Sequence, residues 1–226
     1  MIDFFTDHIS HPPSLTIVEY ASLFVGLLLV VWLAIRYYDK KWLQRSFWWL
    51  QLVQVVSLYA WYIVVDWPLS ESLPLYHCRM AMLFMLWGTT GSLKRYFAYL
   101  GIFGSTVAFI YPILDPFTFP HITFFTFVIG HYALMANCLM YLLKDGQEEI
   151  IHVRDLVRLT LLMNVFLLVI NHIVGGNYGF LSQTPILNSR NVVLNFIVVS
   201  LVLVFGTGLV QATIYQLEKS KISNYL

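Results

Sequence analysis

Long apolar blocks fill most of the chain, and short polar breaks separate them. A helix needs about 20 mostly apolar residues to cross a bilayer. The breaks at residues 66–68, 115–116, 144–146 and 175–177 carry the Asp, Pro, Gly and Asn residues that commonly end helices, whereas the break at residues 93–95 is weaker. The pattern predicts seven spanning helices, at residues 16–35, 46–65, 74–92, 96–114, 122–143, 154–174 and 192–215.

The composition is typical of a chain that lies almost wholly in a membrane. Of the 226 residues, 59% are hydrophobic and 11% are charged, whereas a soluble domain has about 25% charged residues. The two cysteines, Cys78 and Cys138, form no CxxC pair, which excludes a disulfide scaffold and a zinc knuckle. We therefore predict an all-α membrane protein in which residues 1–226 form a single domain, a bundle of seven transmembrane helices.

Lysine and arginine residues are concentrated on one side of the predicted bundle. The first, third and fifth connections and the C-terminal tail hold eleven of the thirteen, whereas the opposite side holds only Arg190. Positive charge in loops favours the cytoplasmic side of a membrane. The N-terminus is therefore predicted to lie outside the cell and the C-terminus in the cytoplasm, as in a multi-pass protein of the cell membrane.

Three polar residues, His77, Cys78 and Arg79, stand side by side near the start of the third predicted helix. Ionisable residues are costly in lipid, so such a cluster indicates a functional site, here near the outer surface. Cys78 is interpreted either as a nucleophile or as a small buried apolar residue. His77 and Arg79 are candidate substrate-binding groups, with Arg79 either holding a lipid phosphate or forming a salt bridge with Glu19.

A thiol needs a base to become a good nucleophile, and His131 is the candidate base. It lies nine residues below the start of the fifth predicted helix, or about 13 Å. Its alternative role is a hydrogen bond between helices. Asn177 and Tyr178, in a glycine-rich outer loop, are candidate substrate-binding residues. This loop is either a plain turn or a re-entrant lid that supplies an oxyanion donor.

The sixth predicted helix carries a polar stripe of Thr160, Asn164 and Asn171 at helical spacing. Asparagine in a membrane helix more often joins helices than takes part in catalysis, and Asn164 is interpreted in this way. Asn171 lies at the outer end of the helix, beside the glycine-rich loop. It is therefore a further candidate for substrate binding.

Three short motifs, in their order along the chain, resemble the YwaF-type integral membrane proteins of bacteria. They are LPL at residues 73–75 followed by Cys78, FTFVIGHYAL around His131, and NYGFL at residues 177–181 followed by Pro185. Vertebrate relatives of that family look like cysteine-dependent acyltransferases that place polyunsaturated chains on ether phospholipids. The resemblance implies a nucleophile at Cys78, a base at His131 and a location in the bacterial plasma membrane.

The preferred hypothesis is a membrane acyltransferase that acts on phospholipid at the outer leaflet and uses no metal or other cofactor. One alternative is a metal-dependent lipid hydrolase, although the outer histidines lack the HxxxH spacing of a helical zinc site. The other is a module without enzymatic activity that binds a lipid, a small solute or a partner protein in the membrane. No feature of the sequence indicates a nucleic acid as a partner.

Overall fold

The structure, a computed structural model, describes residues 4–145, 150–185 and 187–223. Within these ranges the regular secondary structure is helical and contains no strand. A short 3-10 turn, Tyr178–Phe180, lies between the last two helices. The α-helices are α1 (Ile17–Arg36), α2 (Lys41–Val64), α3 (Leu69–Ser72), α4 (His77–Trp87), α5 (Ser92–Ile110), α6 (Ile122–Asp145), α7 (Val153–Val174) and α8 (Val192–Ser223).

Five of these helices, α1, α2, α6, α7 and α8, are long and apolar enough to cross a membrane. Their exposed side chains are largely Val, Leu, Ile, Phe and Trp, which suits contact with lipid chains. These features confirm the prediction of an all-helical membrane protein. The count of seven spans and the orientation of the termini stay predictions.

The helix α4 is shorter than the predicted stretch of residues 74–92. It has eleven residues, or about 16 Å, whereas a bilayer core is about 30 Å thick. It ends before Gly88, and α5 begins after Gly91, whose φ of 135° is accessible chiefly to glycine. The break therefore precedes Lys94 and Arg95, which lie in the first turn of α5 and not in the connection where the sequence pattern put them.

The helix α6 is the centre of the bundle. It packs against α1, α2, α4 and α5, while α8 packs against α5 and α7. Its side chains at Leu134, Ala136, Cys138 and Leu142 have no exposed surface. Contacts with α6, the helix that carries the candidate base, therefore fix the positions of α1, α2, α4 and α5.

The N-terminal segment crosses one end of the bundle, referred to below as the upper end. The Phe4 carbonyl accepts a hydrogen bond from the Ile122 N–H at 3.0 Å. The Phe5 carbonyl accepts one from the Trp61 indole at 3.1 Å. These bonds join the start of α6 and the end of α2 at the upper end, which is the outer side in the predicted orientation.

Candidate functional site

The helix α4 begins inside the bundle. Residues 66–76 lead into it from the upper end, and the Leu73 N–H donates to the Tyr178 hydroxyl at 2.8 Å. His77, the first residue of α4, lies 3.0 Å from the Asn164 amide oxygen, midway along α7. The sequence pattern predicts that His77, Cys78 and Arg79 lie near the outer surface, and this depth stays a prediction. Residues 66–76 bring His77 level with the middle of α7, whereas Arg79 still reaches the Tyr62 hydroxyl near the upper end of α2.

The Cys78 side chain packs on α5. A Cβ atom added at Gly104 would lie only 2.6 Å from the Cys78 sulfur, so a glycine is needed to leave room for it. Cys78 is a free thiol and is half-buried. The thiol therefore rests against α5 in a residue that is only partly buried.

His131 approaches the same stretch of α5 from α6. Its ring centroid lies 6.2 Å from that of Phe109, and Phe109 is five residues beyond Gly104, or about 7.5 Å along the helix axis. One turn below Gly104, Gly101 lies against Leu134 of α6. Five residues correspond to about 140° around a helix, so Gly104 and Phe109 lie on different faces of α5. Cys78 and His131 therefore both lie beside α5, at Gly104 and at Phe109.

Hydrogen bonding fixes the tautomer of His131. Its Nδ1 lies 2.7 Å from the Phe127 carbonyl oxygen, and a carbonyl only accepts, so Nδ1 carries the proton. In the neutral ring, Nε2 then has a free lone pair. Within the part of the chain that the structure describes, no hydrogen bond joins the Cys78 thiol to this ring or to that of His77.

A second imidazole, that of His77, lies on the side of α4 that faces α7, whereas the Cys78 sulfur faces α5. Its Nε2 faces the Asn164 amide oxygen, and the amide nitrogen of Asn164 donates to the Ser200 hydroxyl at 2.9 Å. Asn164 has no exposed surface. A Cβ added at Gly179, above α4, would lie 2.8 Å from the His77 ring carbon Cε1. Residues from α7, α8 and the upper loop therefore hold this ring in place.

Arg79 lies in a cage of three tyrosine rings. Its guanidinium carbon is 5.1, 5.3 and 5.9 Å from the ring centroids of Tyr76, Tyr62 and Tyr59. One guanidinium nitrogen donates to the Tyr62 hydroxyl at 2.8 Å, and the other donates to the Glu71 backbone carbonyl at 3.4 Å. Aromatic faces at these distances stabilise a cation without neutralising it.

Among the described residues, no carboxylate lies within salt-bridge distance of Arg79. Glu19, its alternative partner, instead caps α1, where its carboxylate accepts from the Thr16 N–H at 2.8 Å. Asp115, in the connection from α5 to α6, is close enough for an electrostatic interaction with Arg79. Desolvation raises the pKa of Asp115, and the positive charge of Arg79 opposes that rise. Arg79 thus keeps N–H donors that no carboxylate occupies.

The glycine-rich loop re-enters the bundle around Tyr178, which has no exposed surface. The Tyr178 hydroxyl donates to the Leu69 carbonyl at 2.6 Å. The Asn171 amide bonds both the N–H and the carbonyl of Tyr178, at 2.7 and 2.9 Å. The Asn177 side chain likewise bonds the backbone of Gln183. The side chains of these three residues thus bond backbone groups in and beside the loop, and their role in substrate binding stays a prediction.

Two other features of the structure bear on the site. In the described ranges, no group of three or more His, Cys, Asp or Glu side chains is placed to hold a metal ion, so the metal alternative has no ligand set there.

A groove of about 480 Å³ at the upper end contains none of the predicted site residues. It is lined by Pro12, Pro13, Leu15, Tyr20, Tyr111, Pro112, Ile113, Leu114 and Pro185.

The partners of the polar residues were not predicted from the sequence. Tyr59 and Tyr62 are three positions apart on α2, a spacing that puts them on one face, and this was an available signal for an aromatic cage. The pair of Asn164 and Ser200 joins α7 and α8 across 36 positions of the sequence. Nothing local in the sequence marks such a pair.

A comparison with protein families matches residues 4–214 to the TMEM164 family. The chain belongs to the TMEM164 family. This is a family of membrane proteins, which agrees with the long apolar helices. No curated protein and no solved structure matches the chain significantly. The relationship to YwaF-type proteins and to acyltransferases therefore stays a prediction.

Proposed function

We propose that this protein is a membrane acyltransferase with Cys78 as its nucleophile and His131 as its base. The observation that carries the proposal is the arrangement of His131. Its Nδ1 donates to the Phe127 carbonyl oxygen at 2.7 Å, which leaves Nε2 free to act as a base, and both His131 and Cys78 lie beside α5. A thiol without such a base is mostly protonated and reacts slowly.

The first half of the reaction forms a thioester. Nε2 of His131 takes the proton of the Cys78 thiol as the thiolate attacks the carbonyl carbon of a lipid ester. The ester C–O bond breaks, and the imidazolium returns the proton to the departing alkoxide. The second half transfers the acyl group from sulfur to an acceptor hydroxyl and regenerates the thiol. No oxidant, reductant or cofactor is consumed.

Arg79 supplies the headgroup contact in this proposal. It is adjacent to Cys78, its charge is not neutralised by a carboxylate at contact distance among the described residues, and three tyrosine rings keep it in place. Guanidinium N–H groups bind phosphate oxygens strongly. The substrate is thus a phospholipid whose phosphate lies at the upper end, which is the outer leaflet of the plasma membrane in the orientation that the basic residues favour.

The test uses the purified protein in lipid nanodiscs that contain phospholipid with a labelled acyl chain. The expected result is an acyl mass on the peptide that contains Cys78, removed by hydroxylamine as a thioester is. The Cys138→Ser variant is the matched control and should form the same adduct. A wild-type protein without an adduct, and without transfer to lysophospholipid, would contradict the proposal.

The second candidate is a lipid-binding module without chemistry. The arginine cage favours it, because binding a phosphate through Arg79 requires neither the thiol nor the imidazole. In that case phospholipid would remain bound through native mass spectrometry, and Arg79→Ala would weaken its retention. Cys78→Ser and His131→Ala would then change nothing that can be measured.

A further inference from the structure

The site contains two imidazoles, and each has one nitrogen engaged and one lone pair free. For His131 the engaged atom is Nδ1, which donates to the Phe127 carbonyl. For His77 it is Nε2, because the Asn164 amide oxygen only accepts and therefore requires a proton on Nε2. Nδ1 of His77 then carries the lone pair, and it has no hydrogen-bond partner among the described residues.

The two rings reach the start of α4 from different sides. His131 lies with Phe109 at the contact of α5 and α6, and the Cys78 sulfur packs against α5 at Gly104. His77 lies with Asn164 of α7 and Gly179 of the upper loop. Since consecutive residues of a helix point about 100° apart, the imidazole of His77 does not share the α5-facing side of its neighbour.

The surroundings of His77 are those of a positioned base. Asn164 is fully buried and is itself held by Ser200, so the orientation of its amide is fixed. Gly179 has a φ of 68° and lies so close that a Cβ would contact the ring. Asparagine holds the tautomer of the catalytic histidine in some cysteine hydrolases through the same kind of contact. A hydrogen bond that only joined helices would need neither the glycine contact nor the third residue.

We propose that His77 is the base for the acceptor, so that the two half-reactions use different imidazoles. This inference rests on the proposed function. Nδ1 of His77 takes the proton of the acceptor hydroxyl, whose oxygen attacks the thioester carbon. The C–O bond forms, the C–S bond breaks, and the sulfur leaves as a thiolate. The imidazolium of His77 then returns its proton to the sulfur, which restores the thiol.

The experiment measures the two half-reactions separately in nanodiscs. Adduct formation is followed in a single turnover with labelled phospholipid, and discharge is followed after addition of lysophospholipid as the acceptor. In His77→Ala the adduct should form at the wild-type rate and discharge about 10²-fold more slowly, near the lower end of general-base effects. His131→Ala should instead slow the formation of the adduct.

Two further measurements exclude a purely structural role. Added imidazole should restore discharge in His77→Ala, because a small base can occupy the space of the missing ring, and a packing defect would not respond. Asn164→Ala, a positioning variant, should slow discharge to a smaller extent and leave formation unchanged. His172→Ala, which removes an exposed histidine at the end of α7, is the control and should change neither step.

Each outcome decides the inference. Discharge in His77→Ala at the wild-type rate, or equal slowing of both steps without imidazole rescue, would overturn it and leave the proposed function intact. A wild-type protein that forms no adduct would overturn both. If His77→Ala fails to fold, the partition between formation and discharge in Asn164→Ala decides in its place.

Discussion

The two thiols of this protein make the same contact with α5, one helical turn apart. Cys78 packs at Gly104 and Cys138 packs at Gly101, and in both cases an added Cβ would lie 2.6 Å from the sulfur. Beyond that contact they differ. Cys138 has no exposed surface, whereas Cys78 is half-buried and has His77 as its neighbour.

This difference separates packing from chemistry. The glycine contacts explain how α5 comes close to α4 and to α6, and small residues serve this purpose in many membrane helices. They do not explain reactivity, because both cysteines have them. Access, a base and a nearby cation are what a reactive thiol needs. Of the two cysteines, only Cys78 is a partly exposed residue that stands between a histidine and an arginine in the sequence, His77 and Arg79.

The largest expected effect comes from exchanging sulfur for oxygen at each position. Cys78→Ser should abolish the acyl adduct and the transfer, because a hydroxyl is far less acidic than a thiol. Cys138→Ser should keep both, at some cost in stability from a buried hydroxyl. Both variants are measured by adduct mass and by transfer of labelled chains. Equal activity of Cys78→Ser and the wild type would end the thiol mechanism.

Removing the base should give the next largest effect. His131→Ala should lower the rate of adduct formation by about 10²–10⁴-fold, the usual contribution of general-base catalysis. The loss should be greatest near neutral pH, where the thiol is mostly protonated without help, and smaller at high pH. The pH dependence of the single-turnover rate tests this. A constant ratio of rates at all pH values would indicate that His131 only supports the fold.

The sequence predicted the helices wherever apolar length decides the structure. The stretch 122–143 became α6, Ile122–Asp145, and 154–174 became α7, Val153–Val174. It failed at the boundary between α4 and α5, because Lys94 and Arg95 looked like a connection. Lys94 instead lies in the first turn of α5 and donates to the Gly88 carbonyl at 3.0 Å. A charged residue in a helix end and one in a loop look the same in a hydropathy pattern.

Only those site residues were predicted whose ionisable side chains are energetically costly to place in lipid. His77, Cys78, Arg79 and His131 stood out because ionisable residues in apolar helices need a reason. Their partners did not. The Asn164 amide was expected to join helices, and its contact with His77 depends on where α4 starts. The start of α4 is set by residues 66–76, which fold into the bundle, and no periodicity of the sequence encodes this fold.

Arg79→Ala should have a smaller effect than the loss of the base. We expect kcat/KM to fall by about 10- to 100-fold, because a hydrogen bond to a charged group contributes about 1.5–3 kcal/mol. The loss should appear mainly in KM, since the phosphate contact is made in the ground state as well. Arg79→Lys should recover part of it, as lysine keeps the charge but not the planar fork. Arg190→Ala, at an exposed position just before the last helix, is the control and should leave KM unchanged. A fall in kcat alone would place Arg79 in the chemical step.

The smallest effect, and the most direct test of the comparison, comes from the two glycines. Gly101→Ala should lower the free energy of unfolding by about 1–3 kcal/mol, the usual cost of overpacking. The new methyl group would meet the Cys138 sulfur and the Leu134 side chain, at 2.6 and 3.0 Å, where every neighbour is fully buried. Activity per folded molecule should be unchanged.

Gly104→Ala should show the opposite balance. Its methyl group would meet only the Cys78 sulfur within 4 Å, and that side chain is half-buried, so it can turn aside at little cost in stability. Turning aside changes the position of the thiol, which the proposed mechanism requires within reach of His131, so adduct formation should slow. Thermal unfolding and single-turnover acylation measure the two effects on the same preparations.

Adding Cys138→Ala to Gly101→Ala should recover stability, because it removes the sulfur that the methyl group meets, whereas no such exchange at Cys78 recovers activity. If both glycine variants lost stability and neither lost acylation activity, Cys78 would have only a packing role, like Cys138.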